Sequence, residues 1–323
     1  MIERPRRNRK NKRVRELIAE TQLNLSDFIF PLFVVDSNST KTEVASMPGI
    51  FRFPLEELYR EIESCLELGI GQFALFPAIE DSKKDKTGSE ALNEDGINLK
   101  AIREIKRRFP DALIISDVAL DPYSSDGHDG IVEGDKILND DTLPLLAQMA
   151  VAQAQAGSDI VAPSDMMDGR VFEIRKALDE AGFSEVSIMA YTAKYASAFY
   201  GPFRDALDSA PKKGNKKSYQ MDPRNRREAI REAYLDQSEG ADFLMVKPAL
   251  AYLDVISDIK QITSLPIAAY NVSGEYAMVK AAEQKGWVNG KEVRNEILTS
   301  IKRAGADIIL SYFAKEWAED LKG

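Results

Sequence analysis

The sequence predicts a (β/α)₈ barrel, and two patterns support this prediction. Eight short aliphatic runs alternate with amphipathic stretches along the 323 residues. Helical patterns also end at a glycine that a strand follows almost at once, as in GSD at 157–159 and GAD at 240–242. Such short connections, together with nearly continuous apolar strands, are typical of a buried parallel sheet. Eight units favour closure into a barrel over a doubly wound open sheet, since no G-x-G-x-x-G follows the first strand.

The predicted strands are aliphatic runs bounded by polar or glycine-containing turns. They lie at residues 29–34, 72–76, 113–118, 159–162, 186–191, 242–246, 266–270 and 307–310. Amphipathic helices are predicted at residues 54–68, 99–109, 142–156, 170–181, 226–239, 252–262, 275–285 and 291–304. The first helix illustrates the pattern, because Pro54 lies in its first turn, leucine and isoleucine recur on one face, and Gly69 ends it.

Charge divides the chain into two parts. Residues 1–15 carry eight Lys or Arg and one Glu, although the whole chain has a formal net charge of −9. We therefore predict a basic N-terminal arm at residues 1–25, which contacts an acidic surface of a neighbouring subunit, and a single barrel domain at residues 26–323. The acidic barrel should repel nucleic acid. A tail that binds nucleic acid is the alternative interpretation of the arm.

Composition excludes several classes of protein. Apolar residues make up 44% and charged residues 29% of the chain, as in ordinary globular proteins. No apolar run is long enough to span a membrane, and the arginine-rich start lacks the apolar segment of a secretory signal, so we expect a cytoplasmic protein. The single cysteine, Cys65, excludes an internal disulfide bond and a cysteine-based zinc site, and its apolar neighbours indicate a core position.

Side chains that follow the predicted strands should meet, because active sites of this fold lie at the C-terminal ends of the strands. In chain order these positions hold Asp117, Ser164, Asp165, Lys194, Lys247, Ser273, Ser311 and Tyr312. Two lysines and several hydroxyl groups therefore converge on one end of the barrel.

The two lysines, Lys194 and Lys247, indicate amine chemistry. Lys247 follows four apolar residues, so its ammonium group should enter a partly desolvated space. Burial and a second cation both penalise the charged form and lower the pKa of a lysine from its usual value of about 10.4. A free amine near neutral pH can attack a ketone to form a Schiff base. The alternatives are ion pairs at the barrel rim and simple binding of a substrate phosphate.

A long basic segment, residues 201–227, follows the Lys194 strand. It carries eight Lys or Arg and three Asp, with little apolar periodicity. We predict that this segment is a lid without regular structure, and its charge indicates an anionic substrate. Arg204, Lys216 and Lys217 are the cations expected to reach inward. A surface loop with no role in binding is the alternative.

An acidic loop, residues 121–135, follows the third strand. It contains five Asp or Glu and no Lys or Arg. Carboxylates and glycine turns suit Mg²⁺ better than zinc, which prefers histidine and cysteine ligands. A solvated loop is the alternative interpretation. His128 is the only histidine of the chain, so a site built from two or three histidines is excluded.

Five longer motifs stand out in the chain: DVALDPYSSDGHDG at 117–130, APSDMMDGR at 162–170, MAYTAKYAS at 189–197, FLMVKP at 243–248 and NVSGEY at 271–276. Together they resemble the porphobilinogen synthase family, also called 5-aminolevulinic acid dehydratase. The resemblance extends from the basic arm to Tyr312. It implies condensation of two 5-aminolevulinate molecules to the pyrrole porphobilinogen with loss of two waters, in tetrapyrrole synthesis. The Schiff-base lysines of the family then correspond to Lys247, for the propionate side, and Lys194, for the acetate side.

The resemblance also implies roles for the remaining polar residues. One substrate carboxylate would be bound by Ser273 and Tyr312, and the other by three lid residues, Arg204, Lys216 and Gln220. Many members have arginine in place of Lys216, and lysine keeps the charge but loses the bidentate geometry. Asp117 and Ser164 would make polar contacts near the substrate amines and reacting carbons.

Metal use and assembly are implied by the resemblance as well. The three cysteine ligands of the zinc enzymes correspond to Ala119, Asp121 and Asp129, so no zinc thiolate site is expected. The two aspartates could retain Mg²⁺, or the site could work without a metal ion. Glu232 matches the position of an allosteric Mg²⁺ ligand. The arm would embrace a neighbouring subunit in a homo-octamer, with possible exchange to a hexamer.

Two other functions remain open at this stage. A class I aldolase-like lyase would use one lysine and a phosphorylated sugar, with phosphate-binding glycine loops after the last two strands. A binding module would use the arm to contact nucleic acid, with an affinity that falls as salt rises.

Overall fold

Eight parallel strands close into a barrel in the computed structural model, which describes residues 1–37, 40–207, 209 and 211–322. The barrel strands β1–β8 are Phe28–Val35, Gln72–Ala78, Leu113–Val118, Ile160–Pro163, Ser187–Lys194, Phe243–Lys247, Ile267–Asn271 and Ile308–Ser311. Each pairs in parallel with the next, and β8 pairs with β1 through Phe28 with Ile309 and Ile29 with Leu310. The predicted barrel is therefore confirmed, and the open-sheet alternative is wrong.

Most of the helices alternate with these strands and cover the outside of the barrel, whereas α1 lies in the arm and α6 in the lid. In the described part of the chain they are α1 to α11: Lys12–Leu17, Leu55–Leu68, Ile97–Arg108, Asn139–Ala156, Arg170–Glu180, Gly201–Leu207, Arg226–Ser238, Leu253–Ile262, Ser273–Gln284, Gly290–Ala304 and Ala314–Lys322. The predicted helices correspond to α2–α5 and α7–α10, with ends shifted by up to three residues.

Helix α2 shows how the local sequence sets one of these elements. Leu58, Ile62 and Cys65 are buried on one face, so the amphipathic stripe packs against the barrel. Gly69 ends the helix in the left-handed conformation at a φ of 93°, which glycine adopts without steric cost. Burial raises the pKa of the Cys65 thiol to about 12. Cys65 is therefore an inert core residue, as the sequence predicts.

Three helices are absent from the sequence-based prediction. Helix α11 packs against β1 and α2, and its Trp317 ring lies 4.9 Å from that of Phe28. Helix α6 forms the first part of the lid, so the expectation that the lid lacks regular structure is wrong there. Both helices have fewer than ten residues, which is too short for a clear periodic pattern. Helix α1 lies within the arm.

The N-terminal arm has no core of its own. Helix α1 and the short 3₁₀ helix Pro5–Arg9 bury no residue, and Leu17 is 83% exposed. The first buried positions of the chain are Asp27 and Phe28, at the start of β1. No helix among the described residues is long and apolar enough to cross a membrane.

Candidate active site

The two lysines lie side by side at the C-terminal ends of β5 and β6. Lys194 and Lys247 are partners in the strand register and are 6% and 5% exposed. Both belong to their strands, whereas the prediction ended β5 three residues earlier, at Tyr191. The rigid sheet, rather than a loop, therefore positions the two amines.

Aromatic rings surround the amine of Lys247. The ring centres of Tyr270, Tyr191, Phe203 and Tyr200 lie 4.6, 5.0, 5.0 and 5.3 Å from its Nζ atom. These faces attract a cation only weakly compared with water or a carboxylate. Burial, and then the positive charge of Lys194, lower the pKa of Lys247 to about 7. A large fraction of this side chain is therefore a free amine near neutral pH.

Lys194 has a more polar environment than Lys247. Its Nζ atom donates a hydrogen bond to the carbonyl oxygen of Ser164 and lies 3.8 Å from Oδ2 of Asp129. Ser164 follows β4, at the next strand end of the barrel. The two lysines thus share one cavity but differ in their partners.

Asp117 lies near the end of β3 on the same side of the barrel. Burial, and then the nearby Asp121, raise the pKa of Asp117 to about 7. Its Oδ1 atom is buried and has no hydrogen-bond partner within the described residues. A buried carboxyl group with a free oxygen and a pKa near neutrality can hold or release a proton for a bound substrate.

The cavity over the two lysines is small. It has a volume of about 30 Å³, and its walls include Lys194 and Lys247 together with the lid residues Arg204, Lys216 and Gln220. Such a space holds about one water molecule. The structure therefore brings the predicted lid residues to the lysines, whereas Lys217 is exposed and does not reach inward. Asp208 and Ala210 of the lid lie outside the described residues.

Ser273 and Tyr312 lie at the ends of the neighbouring strands β7 and β8. The Ser273 hydroxyl accepts from the amide of Phe203 at 3.0 Å and donates to the carbonyl of Phe199 at 3.3 Å. The Tyr312 hydroxyl lies 3.0 Å from that of Tyr270. Both side chains are buried, but neither lines the small cavity over the two lysines. The link between Ser273 and Phe203 ties the start of α9 to the lid helix.

Lys216 occupies the space between the two aspartates of the acidic loop. Its Nζ atom donates to Oδ2 of Asp121 at 3.1 Å and to Oδ1 of Asp129 at 2.9 Å. Burial alone would lower the pKa of Lys216, but the two carboxylates outweigh it and raise the pKa. Lys216 is therefore a buried, permanently charged ammonium group.

The same cluster sets the charges of the two carboxyl groups. Burial opposes ionisation of Asp129, but Lys194 and Lys216 outweigh it and hold the pKa of Asp129 at about 2. Burial raises the pKa of Asp121, and the adjacent charge of Asp129 adds to this effect. Asp129 is thus the principal anion beside both ammonium groups.

A divalent ion does not fit between Asp121 and Asp129 in this arrangement. The Lys216 ammonium group already binds one oxygen of each carboxylate, and the methyl side chain of Ala119 supplies no ligand atom. Among the described residues, no group of three or more His, Cys, Asp or Glu could hold a metal ion. The acidic loop therefore has a built-in cation as its partner.

Glu232 lies on α7, at a separate cavity on the outside of the barrel. This cavity has a volume of about 480 Å³ and is also lined by Asp168, Glu228 and Tyr219. Burial raises the pKa of Glu232 to about 7, although Arg170 opposes the effect. Carboxylates around such a space suit Mg²⁺, which keeps several of its waters. Among the described residues, however, these carboxylates do not form a group of three that could hold an ion directly.

Several residues of the site escape sequence reasoning. The aromatic residues around Lys247 come from β5, β7 and the lid, and each looks like an ordinary core residue in its own segment. His128 contacts Tyr219 of the lid, but nothing in the sequence pairs these two positions. The sequence gives one weak indication that Tyr219 faces inward, because it lies between Lys216 and Gln220, two lid residues that do so.

Known proteins resemble the chain over its whole length. A model of the delta-aminolevulinic acid dehydratase family matches residues 2–320. The protein named delta-aminolevulinic acid dehydratase of Bradyrhizobium diazoefficiens is 51% identical, over 99% of this chain and 91% of its own length. The chloroplastic protein of the same name from Physcomitrium patens is 54% identical, over 99% of this chain and 74% of its own length.

A solved structure is equally similar. The crystal structure of delta-aminolevulinic acid dehydratase (porphobilinogen synthase) from Toxoplasma gondii ME49, in complex with the reaction product porphobilinogen, is 52% identical to this chain. It covers 100% of this chain and 94% of its own, with a TM-score of 0.98. These similarities confirm the resemblance that the motifs indicate. The chain belongs to the delta-aminolevulinic acid dehydratase family.

Proposed function

We propose that the chain is a porphobilinogen synthase, a lyase that condenses two molecules of 5-aminolevulinate into porphobilinogen with loss of two waters. The observation that carries this proposal is the pair of buried lysines at adjacent strand ends, of which Lys247 has a pKa of about 7. A reaction between two ketone substrates needs two positions for carbonyl activation, and the pair supplies two amines in one cavity.

The mechanism starts with the free amine of Lys247. It attacks the ketone carbon of the first substrate, and the resulting carbinolamine loses water to form an iminium ion. The positive nitrogen acidifies the adjacent C–H bond, which permits carbon–carbon bond formation. Lys194 would form the corresponding adduct with the second substrate. Asp117, with a pKa of about 7, can accept and return protons at the reacting atoms.

The substrate carboxylates require separate binding groups. Ser273 and Tyr312 are neutral donors for the first carboxylate, at the ends of β7 and β8. Arg204 and Gln220 line the cavity from the lid and are suited to the second. The closed lid would exclude water from the iminium intermediates. Ser164 would contact the substrate amine.

Metal use and assembly form part of the same proposal. Glu232 would bind an allosteric Mg²⁺ through waters of the ion, because no group of three acidic residues among the described residues could hold it directly. The exposed basic arm would embrace an acidic surface of a neighbouring subunit in a homo-octamer that exchanges with a hexamer. Deletion of residues 1–13 should then shift sedimentation to smaller species, and unchanged octamers would contradict this. A cytoplasmic location rests on the sequence alone, and the relative from Physcomitrium patens is chloroplastic.

Borohydride reduction tests the chemistry directly. The protein is reduced in the presence of 5-aminolevulinate, its peptides are mapped by mass, and porphobilinogen is measured by a colour assay in parallel. An adduct on Lys247 together with pyrrole formation is the expected result. A folded sample supplied with Mg²⁺ that gives neither adduct nor pyrrole would contradict the proposal. EDTA treatment in the same assay would report on the Mg²⁺ dependence.

A further inference from the structure

The acidic loop and the lid are joined by a set of contacts that the condensation mechanism does not use. Backbone and side-chain groups of residues 126–129 contact residues 212–219 at several points. We call this set, together with the ion pairs of Lys216, the latch. It connects two segments that are about 90 residues apart in the chain, as Asp129 and Tyr219 show.

The charged part of the latch is the double ion pair of Lys216 with Asp121 and Asp129, at 3.1 and 2.9 Å. All three side chains are buried, at 7%, 8% and 0% exposure. A buried ammonium group is stable only when it is paired and hydrogen-bonded. The contacts of Lys216 therefore hold the lid turn against the loop.

The neutral part of the latch is a chain of hydrogen bonds through His128. The amide of Asp129 donates to the Tyr219 hydroxyl at 3.3 Å, and this hydroxyl donates to Nδ1 of His128 at 3.0 Å. The Nε2–H group of His128 donates in turn to the carbonyl oxygen of Lys213 at 2.9 Å. Each donor thus has an acceptor when the ring is neutral and carries its proton on Nε2. The chain brackets Lys216 from both sides, since Lys213 precedes it and Tyr219 follows it.

We propose that the acidic loop is the receptor of the lid, in which Lys216 occupies the cation position between Asp121 and Asp129, and that His128 and Tyr219 are positioning residues that keep Lys216 there. The loop that would carry metal ligands in a zinc enzyme has a structural cation here instead. Held there, Lys216 also keeps Arg204 and Gln220 over the lysines. This inference rests on the proposed function only for its kinetic test.

The first experiment measures how well the lid is protected from a protease, and it does not depend on catalysis. Limited trypsin cleavage within residues 212–217 is followed by mass spectrometry in the wild type and in Tyr219→Phe, which keeps the ring and removes the hydroxyl. Cleavage should rise by at least about fivefold, the size of one lost hydrogen bond, because the hydroxyl makes two such bonds. His128→Ala should raise it further, and His128→Gln, which can still donate to the Lys213 carbonyl, should restore part of the protection. Equal cleavage in the wild type, Tyr219→Phe and His128→Ala would overturn the proposal.

A kinetic measurement separates positioning from general stability. In Tyr219→Phe the KM for 5-aminolevulinate should rise by a similar factor, while borohydride trapping on Lys247 stays at the wild-type level and the melting temperature is unchanged. A fall in trapping with no change in KM would overturn the positioning role. If the wild-type protein traps no substrate, the proposed function fails, but the cleavage result still decides whether the latch exists.

Mn²⁺ binding tests the cation position. The number of Mn²⁺ ions bound by the wild type, Asp121→Asn and Asp129→Asn is compared by the paramagnetic resonance signal of free Mn²⁺. Equal numbers are expected, because Lys216 already occupies the space between the carboxylates. One ion fewer in either variant would show a divalent site at the aspartates and overturn the proposal. Two variants are used so that a folding defect in one does not remove the test.

Discussion

Lys247 and Lys216 line the same cavity and are both buried, but they differ in their neighbours and in their pKa. Both side chains are almost fully buried, at 5% and 7% exposure. Four aromatic rings surround the amine of Lys247, and its pKa falls to about 7. Two carboxylates bind Lys216, and its pKa rises. Burial therefore does not determine the state of an amine by itself, because the available counter-charge decides whether the group becomes a nucleophile or a fixed cation.

The largest expected effect is at the reactive lysine. Lys247→Arg keeps a positive charge in the aromatic surroundings but cannot form a Schiff base, so porphobilinogen formation should fall by about 10³-fold or more. The colour assay measures this loss, and peptide mapping should find no adduct at position 247. Retention of a tenth of the activity would show that Lys247 is not the essential amine.

The fixed cation should matter for stability rather than for bond formation. Lys216→Met leaves Asp121 buried without its partner and leaves Asp129 with Lys194 alone, and breaking a buried ion pair costs about 3–5 kcal/mol. Urea denaturation measures the free energy of unfolding. The matched control is Lys217→Met on the exposed neighbour, which should change it by less than about 0.5 kcal/mol. Equal changes in the free energy of unfolding for Lys216→Met and Lys217→Met would show that the ion pairs of Lys216 do not stabilise the fold.

The junction between α9 and the lid should be sensitive to a single methyl group. A Cβ atom at Gly274 would lie 2.5 Å from the carbonyl oxygen of Phe199, where no side chain fits. Gly274→Ala should therefore displace the lid start from Ser273 and raise the KM for 5-aminolevulinate, with a smaller effect on trapping at Lys247. Steady-state kinetics checks this, and an unchanged KM would show that the contact does not help to bind substrate.

The smallest expected effect is a shift in pH dependence. A free amine at Lys247 requires loss of a proton, so kcat/KM should rise with pH through about 7 and level off above it. The negative charge of Asp117 raises the pKa of Lys247. In Asp117→Asn the midpoint of this rise should therefore move to lower pH, by less than one unit because Asp117 is itself only partly ionised near pH 7. A midpoint that moves to higher pH would contradict the assigned effect of Asp117 on the pKa of Lys247.

The success of the sequence-based predictions depends on how local each signal is. Strands β1–β8 and helices such as α2 follow from periodicity and from glycine or proline at their ends, because these signals lie within the element itself. Lys194 and Lys247 were predictable because a barrel gathers the ends of its strands at one site. The short helices α6 and α11 were missed because their stability comes from packing against distant residues rather than from their own pattern.

The sequence by itself determined the barrel, the two amines, the basic lid and, through its motifs, the family. Only the tertiary structure decided which charges meet. The partners of Lys216 lie 95 and 87 residues away in the chain, and no local pattern selects Asp121 and Asp129 from the other acids of the loop. The aromatic surroundings of Lys247 are likewise assembled from separate strands and the lid. The pKa of a buried group depends on groups within a few ångströms in space, and folding alone sets those distances.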